Sequence, residues 1–312
     1  MSDQVALTGT ERLPRFRRAD SPPPLRLTER DQQILQLVAR CRYLRTEQIF
    51  RRLFPKGALS NCRRRLRLLY HHGFLVRVPG PELGSLVYAV DRRALNLLRR
   101  EEGVHVKLSR ARPVGSSEPL RHLLAVNTFR LALELAAEHL DADLNWLGEE
   151  ELRGRPPFAG FSRVNAGWRP PVPDAYIVLT LPPRRMRFFL EVDMGTEDAA
   201  VIRRKVRSHL SLYATGSFQR AFAPESDPTR VSLRVLFVAT LGHEHAQRLS
   251  SWIGRALRGG PHAIQGLFWV TDLEAASEPS RLLGEPVWLV AAEDGPKSLV
   301  GLMPGPPAGL HP

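Results

Sequence analysis

Three acids and a lysine in the middle of the chain have the types and spacing of a metal-dependent phosphodiester-cleaving centre. Asp174 follows Pro173 and opens the apolar run AYIVLTL, and Glu191 and Asp193 close the run RFFLEVD. Lys205 lies in the helical stretch that follows, AAVIRRKVRSHLSLY. Carboxylates at strand ends can hold a hard dication through oxygen, so Asp174, Glu191 and Asp193 are the candidate metal ligands, with Mg2+ or Mn2+ as the expected cation. Such an ion lowers the pKa of a bound water and screens charge at phosphorus, and Lys205 would orient that water or stabilise the transition state. An ionised carboxylate beside an apolar strand needs a reason to be there. The competing reason is structural: Asp174 would cap a turn after Pro173, and Asp193 would pair with an arginine. Glu151 and Glu134 are further acids nearby, although Glu134 stands four residues after Arg130 and is spaced to pair with it along a helix. His243 and His245 open another helix but point to different faces. No glycine-rich phosphate loop is present, so no nucleotide cofactor is expected.

These residues need a sheet and helices to position them. From about residue 119 the pattern runs helix (119–140), strand (LNWLGEEEL), strand (VPDAYIVL), strand (RMRFFLEVD), helix (197–214), strand (SLRVLFVATL), helix (HEHAQRLSSWIGRAL) and strand (GLFWVTDLEA). That order predicts an α/β domain around a mixed sheet, over about 120–300. Residues 301–312 read as a disordered tail, and 107–119 as a linker rich in Ser, Pro, Gly and charge.

The first third reads differently. A polar, basic arm (1–24) ends in three prolines and is expected to be flexible. Thr28 and Asp31 form an imperfect capping box for a helix of about 29–40, and Thr46 is placed as the cap of a short second helix. A third helix, about 58–72, buries Leu59, Cys62, Leu66, Leu69 and Tyr70. At 100° per residue it turns Ser60, Asn61, Arg64, Arg67 and His71 outward. Leu68 also falls on that outer side, a candidate contact for a homodimer or between domains. FLVRV, a turn and SLVYAV then form a hairpin, and a fourth helix spans about 91–101. Three helices and a hairpin predict a winged helix-turn-helix domain over 25–106. Its third helix would enter a major groove, and Arg77 on the wing would reach a phosphate.

Charge agrees with that division. Residues 1–113 hold 24 Lys+Arg against 10 Asp+Glu, a net of +14, and residues 114–312 hold 21 against 22, a net of −1. A block this basic attracts a polyanion through counterion release, which makes double-stranded DNA the expected partner. Cys41 and Cys62 are the two cysteines, at apolar helix positions, which excludes a disulfide framework or a four-cysteine zinc site. No apolar run approaches the ~20 residues of a membrane span, and no signal-peptide centre is seen, so a cytoplasmic, nucleoid- or plasmid-associated protein is expected.

Taken together, the chain resembles the bacterial replication-relaxation family over about residues 27–250. The resemblance rests on LTERDQQILQLVARCRYLRTEQIFRRLF with CRRRLRLLYHHGFLVR, on RHLLAVNTFRLAL, and on PDAYIVL, FFLEVDMGTE and the lysine beyond. It implies a winged helix followed by a restriction-endonuclease-like domain, in a protein of plasmid or mobile-element replication, relaxation or mobilisation. Partners would be DNA and other replication or mobilisation proteins. The endonuclease pattern places a lysine where this chain has Asp193, so Lys205 would have to take its part. Two other expectations stand beside this one: a transcriptional or copy-number regulator with an inactive second domain, and a Mg2+-dependent endonuclease.

Overall fold

The computed structural model of the chain describes residues 14–15, 17–78, 85–102, 117–159, 171–224, 233–258, 264, 266–291, 293 and 295–301. It divides into two compact units, Met1–Asn127 and Thr128–Pro312. The division falls inside a helix; most of the stretch expected to be a linker, the hairpin turn at 79–84 and the tail beyond 301 lie outside the described residues.

The first unit opens with helix α1 (Glu29–Cys41), strand β1 (Leu44–Arg45), helix α2 (Thr46–Leu53) and helix α3 (Leu59–His71). Strands β2 (Leu75–Val78) and β3 (Val87–Val90) pair antiparallel, and β1 joins β3 to give the order β1-β3-β2. Helix α4 (Arg92–Glu102) follows. Ile34, Leu35, Val38, Leu44, Ile49, Cys62, Leu66 and Leu69 are completely buried, so the apolar periodicity of α1–α3 builds one core. The capping box at Thr28 forms, with Thr28 N donating to Asp31 Oδ2 at 2.8 Å and Asp31 N donating to Thr28 Oγ1 at 3.3 Å. Asp31 also accepts from Arg65 Nε at 2.9 Å, which ties the start of α1 to α3. Burial pushes the Asp31 carboxyl up, but Arg65 and Thr28 together outweigh it and hold it below the ordinary carboxylate value.

Two details differ from the sequence reading. The cap of α2 is Arg45, whose N–H donates to Gln48 Oε1 at 2.8 Å; Thr46 is already helical and donates through its N–H to Leu86 O. Leu68 is buried rather than outward, so it offers no dimer contact. The first part of helix α5 (Ser117–His139) belongs to this unit: Leu120 and Leu124 pack with Tyr43, Val87 and Ala89. Two amides lock it in place. Gln48 Nε2 donates to Leu124 O at 2.8 Å, and Asn127 Nδ2 donates to Cys41 O and Tyr43 O, both at 2.9 Å.

The second unit is a seven-stranded mixed sheet. Its strands are β4 (Asp143–Gly148), β5 (Ala175–Leu181), β6 (Arg184–Asp193), β7 (Leu233–Ala239), β8 (Phe268–Asp272), β9 (Trp288–Val290) and β10 (Pro296–Lys297). They stand in the order β10-β9-β8-β7-β6-β5-β4. β4, β5 and β6 run antiparallel, β6, β7 and β8 parallel, and β9 and β10 antiparallel again. Between them lie short helix α6 (Glu149–Arg153), α7 (Ala199–Ala214), α8 (Ser217–Phe222), α9 (His243–Leu257) and the single turns α10 (Leu273–Ala276) and α11 (Pro279–Leu282). The strand expected through Glu151 therefore stops at Gly148. Glu151 turns into α6 and caps it, its Oε2 accepting from Gly148 N at 3.0 Å.

Central strands are apolar at nearly every position because both faces of the sheet are covered. Tyr176, Val178, Phe189, Val235, Phe237, Phe268 and Val270 meet Ile202 and Val206 of α7 and Ala246, Leu249 and Ile253 of α9. Phe129 packs against Trp146 and Trp288, with ring centroids 6.4 Å apart in each pair. The alternation of strand side chains puts Phe189, Glu191 and Asp193 on one face, the face carrying α7 and α9.

Candidate functional site

Glu191 is 3 % exposed, near the end of a central strand, and a lysine and a histidine of α7 meet it. Lys205 Nζ lies 3.1 Å from its Oε2 and His209 Nε2 lies 2.8 Å from its Oε1. Lys205 and His209 are one helical turn apart, so both reach the same carboxylate. Lys205 is shared with Glu197, in the β6–α7 connection, whose Oε1 is 2.8 Å away. Helix α7 is fixed at its start by Asp198, which accepts from Ala200 N and Val201 N at 2.9 Å. Beyond Glu191, Asp193 Oδ1 accepts from Gly195 N at 2.7 Å, and its Oδ2 faces His245 Nε2 of α9 at 3.4 Å. Gly195 holds a left-handed turn (φ +79°), and Leu241 lies over it so closely that an added Cβ would fall 2.3 Å from its Cδ1.

Asp174 stands just before β5 and is tied to β6 twice. Its N–H donates to Leu190 O at 2.9 Å and its Oδ2 accepts from Val192 N at 2.7 Å. The structure thus brings Glu191 and Lys205 together, sets Asp193 against α9, and uses Asp174 at the end of the strand ladder. Glu134 pairs with Arg130 at 2.9 Å, as the helical spacing implies. His243 and His245 diverge: His243 is exposed near Asp272, and His245 is buried against Asp193.

Among the described residues no group of three His, Cys, Asp or Glu is arranged to hold a metal ion. Each oxygen of Glu191 already faces a cation or an N–H, and one oxygen of Asp174 and one of Asp193 are bonded to backbone amides. Mg2+ usually keeps several waters and is held through one or two carboxylates together with substrate phosphates. Glu191, Lys205, Glu197 and His209 form an ion-pair network, and the buried Asp193 Oδ2 and Glu197 Oε2 accept no hydrogen bond among the described residues.

Its protonation states follow from the contacts. Burial pushes the Glu191 carboxyl up, but Lys205 and His209 outweigh it and hold it below 4.5. Burial disfavours the Lys205 ammonium, yet Glu191 and Glu197 win and raise it above 10.5. Burial also raises Glu197 above 4.5, against the pull of Lys205. A lowered carboxylate contributes stability that is complete above its unfolded value and is lost as pH falls through the folded one. Glu197 works the other way, because the native state binds its proton more tightly. Replacing Glu191 by glutamine isolates the first effect. The gap in unfolding free energy between wild type and Glu191→Gln is expected to be about 3 kcal/mol at pH 7 and to close as pH falls below 4.5. Denaturant titrations at stepped pH measure it; a gap constant with pH would remove the ionised Glu191 from the account.

In the first unit, Ser60, Asn61, Arg64 and Arg67 are exposed on α3, and Arg63 joins them. Arg64 Nη2 donates to Asn61 Oδ1 at 3.3 Å along the helix surface. His71 is a correction to the sequence reading. It is 4 % exposed, and its Nδ1 accepts from Ala19 N at 3.1 Å. Its position at the end of α3 turns it toward the chain segment that precedes α1, which helical periodicity could not reveal. Arg77 is also engaged rather than extended from the hairpin. Its guanidinium lies 4.2 Å over the Tyr70 ring and donates to Arg15 O.

The fold and sites define a two-unit protein: a basic helical unit with a small antiparallel sheet, and a mixed α/β sheet with a buried acid–lysine–histidine network. The chain matches the replication-relaxation family over residues 35–225, more than half its length, and belongs to that family. No curated protein matches. Similar solved structures include two of a restriction endonuclease. One is the restriction endonuclease FokI, at 13 % identity over 80 % of this chain and 43 % of that one, with a TM-score of 0.31. The other is FokI bound to DNA, at 14 % identity, the same coverage and a TM-score of 0.25. The chain spans under half the length of those structures. No helix among the described residues is long and apolar enough to cross a membrane.

Proposed function

We propose that this is a duplex-DNA-binding protein of a plasmid or other mobile element, acting in its replication or relaxation. In this reading the first unit is a winged helix-turn-helix domain with α3 as its recognition helix. The second unit is a restriction-endonuclease-like sheet that serves as a binding or assembly module. One observation carries the reading: Ser60, Asn61, Arg63, Arg64 and Arg67 form an exposed face on the third helix of a unit whose net charge is +14. A helix presenting such side chains can lie in a major groove, with arginines reaching guanine edges or phosphates. Nothing in that face serves the core, which lies on the opposite side of α3.

A Mg2+-dependent endonuclease is the second reading, and the Lys205–Glu191 contact favours it, because it places a lysine beside a strand-end carboxylate. The engaged oxygens of Glu191, Asp174 and Asp193 weigh against it. One experiment separates the two. Wild-type protein is incubated with supercoiled plasmid and Mg2+ or Mn2+, and the same preparation is tested for gel shift of a labelled duplex. Shift without nicking is the expected result. Nicking that is lost in Asp174→Ala and Glu191→Ala would establish the endonuclease instead, and absence of any shift would remove the DNA-binding reading.

A further inference from the structure

The described part of the segment preceding α1 is held against the first unit. Arg18 anchors it: Nε donates to Tyr70 O at 3.0 Å and Nη2 to Leu75 O at 3.2 Å, and Nη2 also pairs with Asp91. Tyr70 O, among the last carbonyls of α3, also accepts from Gly73 N at 3.1 Å, and a cation there opposes the helix dipole. Four further bonds hold the segment. Ala19 N donates to His71 Nδ1 at 3.1 Å, Arg77 Nη1 donates to Arg15 O, His72 Nε2 lies 2.8 Å from Pro23 O, and Arg65 Nη2 donates to Arg26 O at 3.2 Å. The partners come from α3, the turn after it, and β2. The bond to Ala19 requires His71 Nδ1 as an acceptor, hence a neutral ring. Burial, and then Arg77, Arg67, His72 and Arg18, hold its pKa below the ordinary value, so it is neutral at physiological pH.

The consequence is positional. Arg67 lies one helical turn before His71 and is near enough to act on its ionisation. The anchored segment therefore passes the C-terminal end of α3 at Tyr70 and His71, and the exposed Arg15 and Arg17 lie within it. Exposed Asp20 is the acid within this stretch. Pinning a chain of this composition removes freedom that it would otherwise lose on binding, so arginines held in place cost less to engage.

We propose that the anchored arm is a second DNA-contacting element, in which Arg15 and Arg17 bind backbone phosphates flanking the groove entered by α3. The proposal rests on the reading of the first unit as a duplex-DNA binder. Arg18 and His71 are positioning residues here: they hold the arm and do not touch DNA.

The test is the affinity of the full chain for a fluorescent random-sequence duplex of about 30 base pairs, titrated at several salt concentrations. Loss of two phosphate contacts in Arg15→Ala/Arg17→Ala should reduce the slope of log K against log salt by about 1.8 and weaken binding roughly ten-fold or more at low salt. Arg18→Ala should weaken binding too, and adding it to the double variant should have little further effect, because the arm's contacts are already gone. Circular dichroism and thermal melts show whether each variant is folded. An unchanged slope and affinity in Arg15→Ala/Arg17→Ala, with wild type binding normally, overturns the proposal alone. Tighter binding by that variant also overturns it, because the arm would then cover the surface. Wild type that binds no duplex with salt dependence sinks the underlying reading as well.

Discussion

Lys205→Met is expected to destabilise the second unit by about 3–5 kcal/mol, the cost of removing one partner from a buried ion pair. The reason is what the substitution leaves behind. Glu191 is 3 % exposed and Lys205 16 %, and the lysine sits between two carboxylates at 3.1 and 2.8 Å. Methionine keeps most of the apolar stem and deletes the charge, so the loss reads the electrostatics. Glu191 would keep His209, while Glu197, already raised by burial, would have no compensation from Lys205. The lysine's raised pKa gives the same sign: its contribution is full below 10.5 and fades as pH rises past the folded value. Denaturant unfolding at pH 7 measures the effect. The double variant Lys205→Met/Glu191→Gln should recover part of the loss, since the buried negative charge goes with the positive one. A single variant within about 0.5 kcal/mol of wild type would show that the network contributes nothing to the fold.

Arg64→Ala/Arg67→Ala is expected to weaken duplex binding by about a hundred-fold at physiological salt while leaving the melting temperature of the protein in place. Each well-made arginine contact to a base edge is worth about 1–3 kcal/mol, and each phosphate neutralised contributes about 0.9 to the salt slope. Both side chains are exposed and serve no core contact, so stability should shift by no more than about 0.5 kcal/mol. The relaxation of specificity distinguishes the two kinds of contact. If the arginines read bases, discrimination between duplexes falls; if they hold phosphates, affinity falls uniformly and the slope flattens. Full affinity in the double variant would remove α3 as the recognition helix.

Much of this architecture is legible in the amino-acid order because it depends on local periodicity. The apolar positions of α1 and α3, the Thr28–Asp31 box and the apolar runs of β5 and β6 each follow from one segment. The same holds for the exposed Ser60–Arg67 face, which is what remains of α3 once Cys62, Leu66 and Leu69 are buried. Local reading failed where a partner comes from far along the chain. His71 was expected outward and is inward because Ala19, 52 residues earlier, meets it. Arg77, expected on the wing, donates to Arg15 O, 62 residues earlier. Glu151 was expected at a strand end and caps a helix, a local choice between two acceptable turns that the acidic run EEE does not decide.

The acids follow the same division. Asp174, Glu191, Asp193 and Lys205 can be picked out from residue type beside apolar runs, and the basic first third from charge alone. Glu197, His209 and His245 cannot be assigned to that group by spacing in the chain, although His209 stands one helical turn from Lys205. Only the parallel pairing of β6 with β7, which sets α7 and α9 over one face of the sheet, brings them to Glu191 and Asp193. The sequence by itself thus determined which groups are ionisable and which elements carry them. The tertiary structure decided which of these groups meet, because that depends on distances between elements that periodicity does not encode.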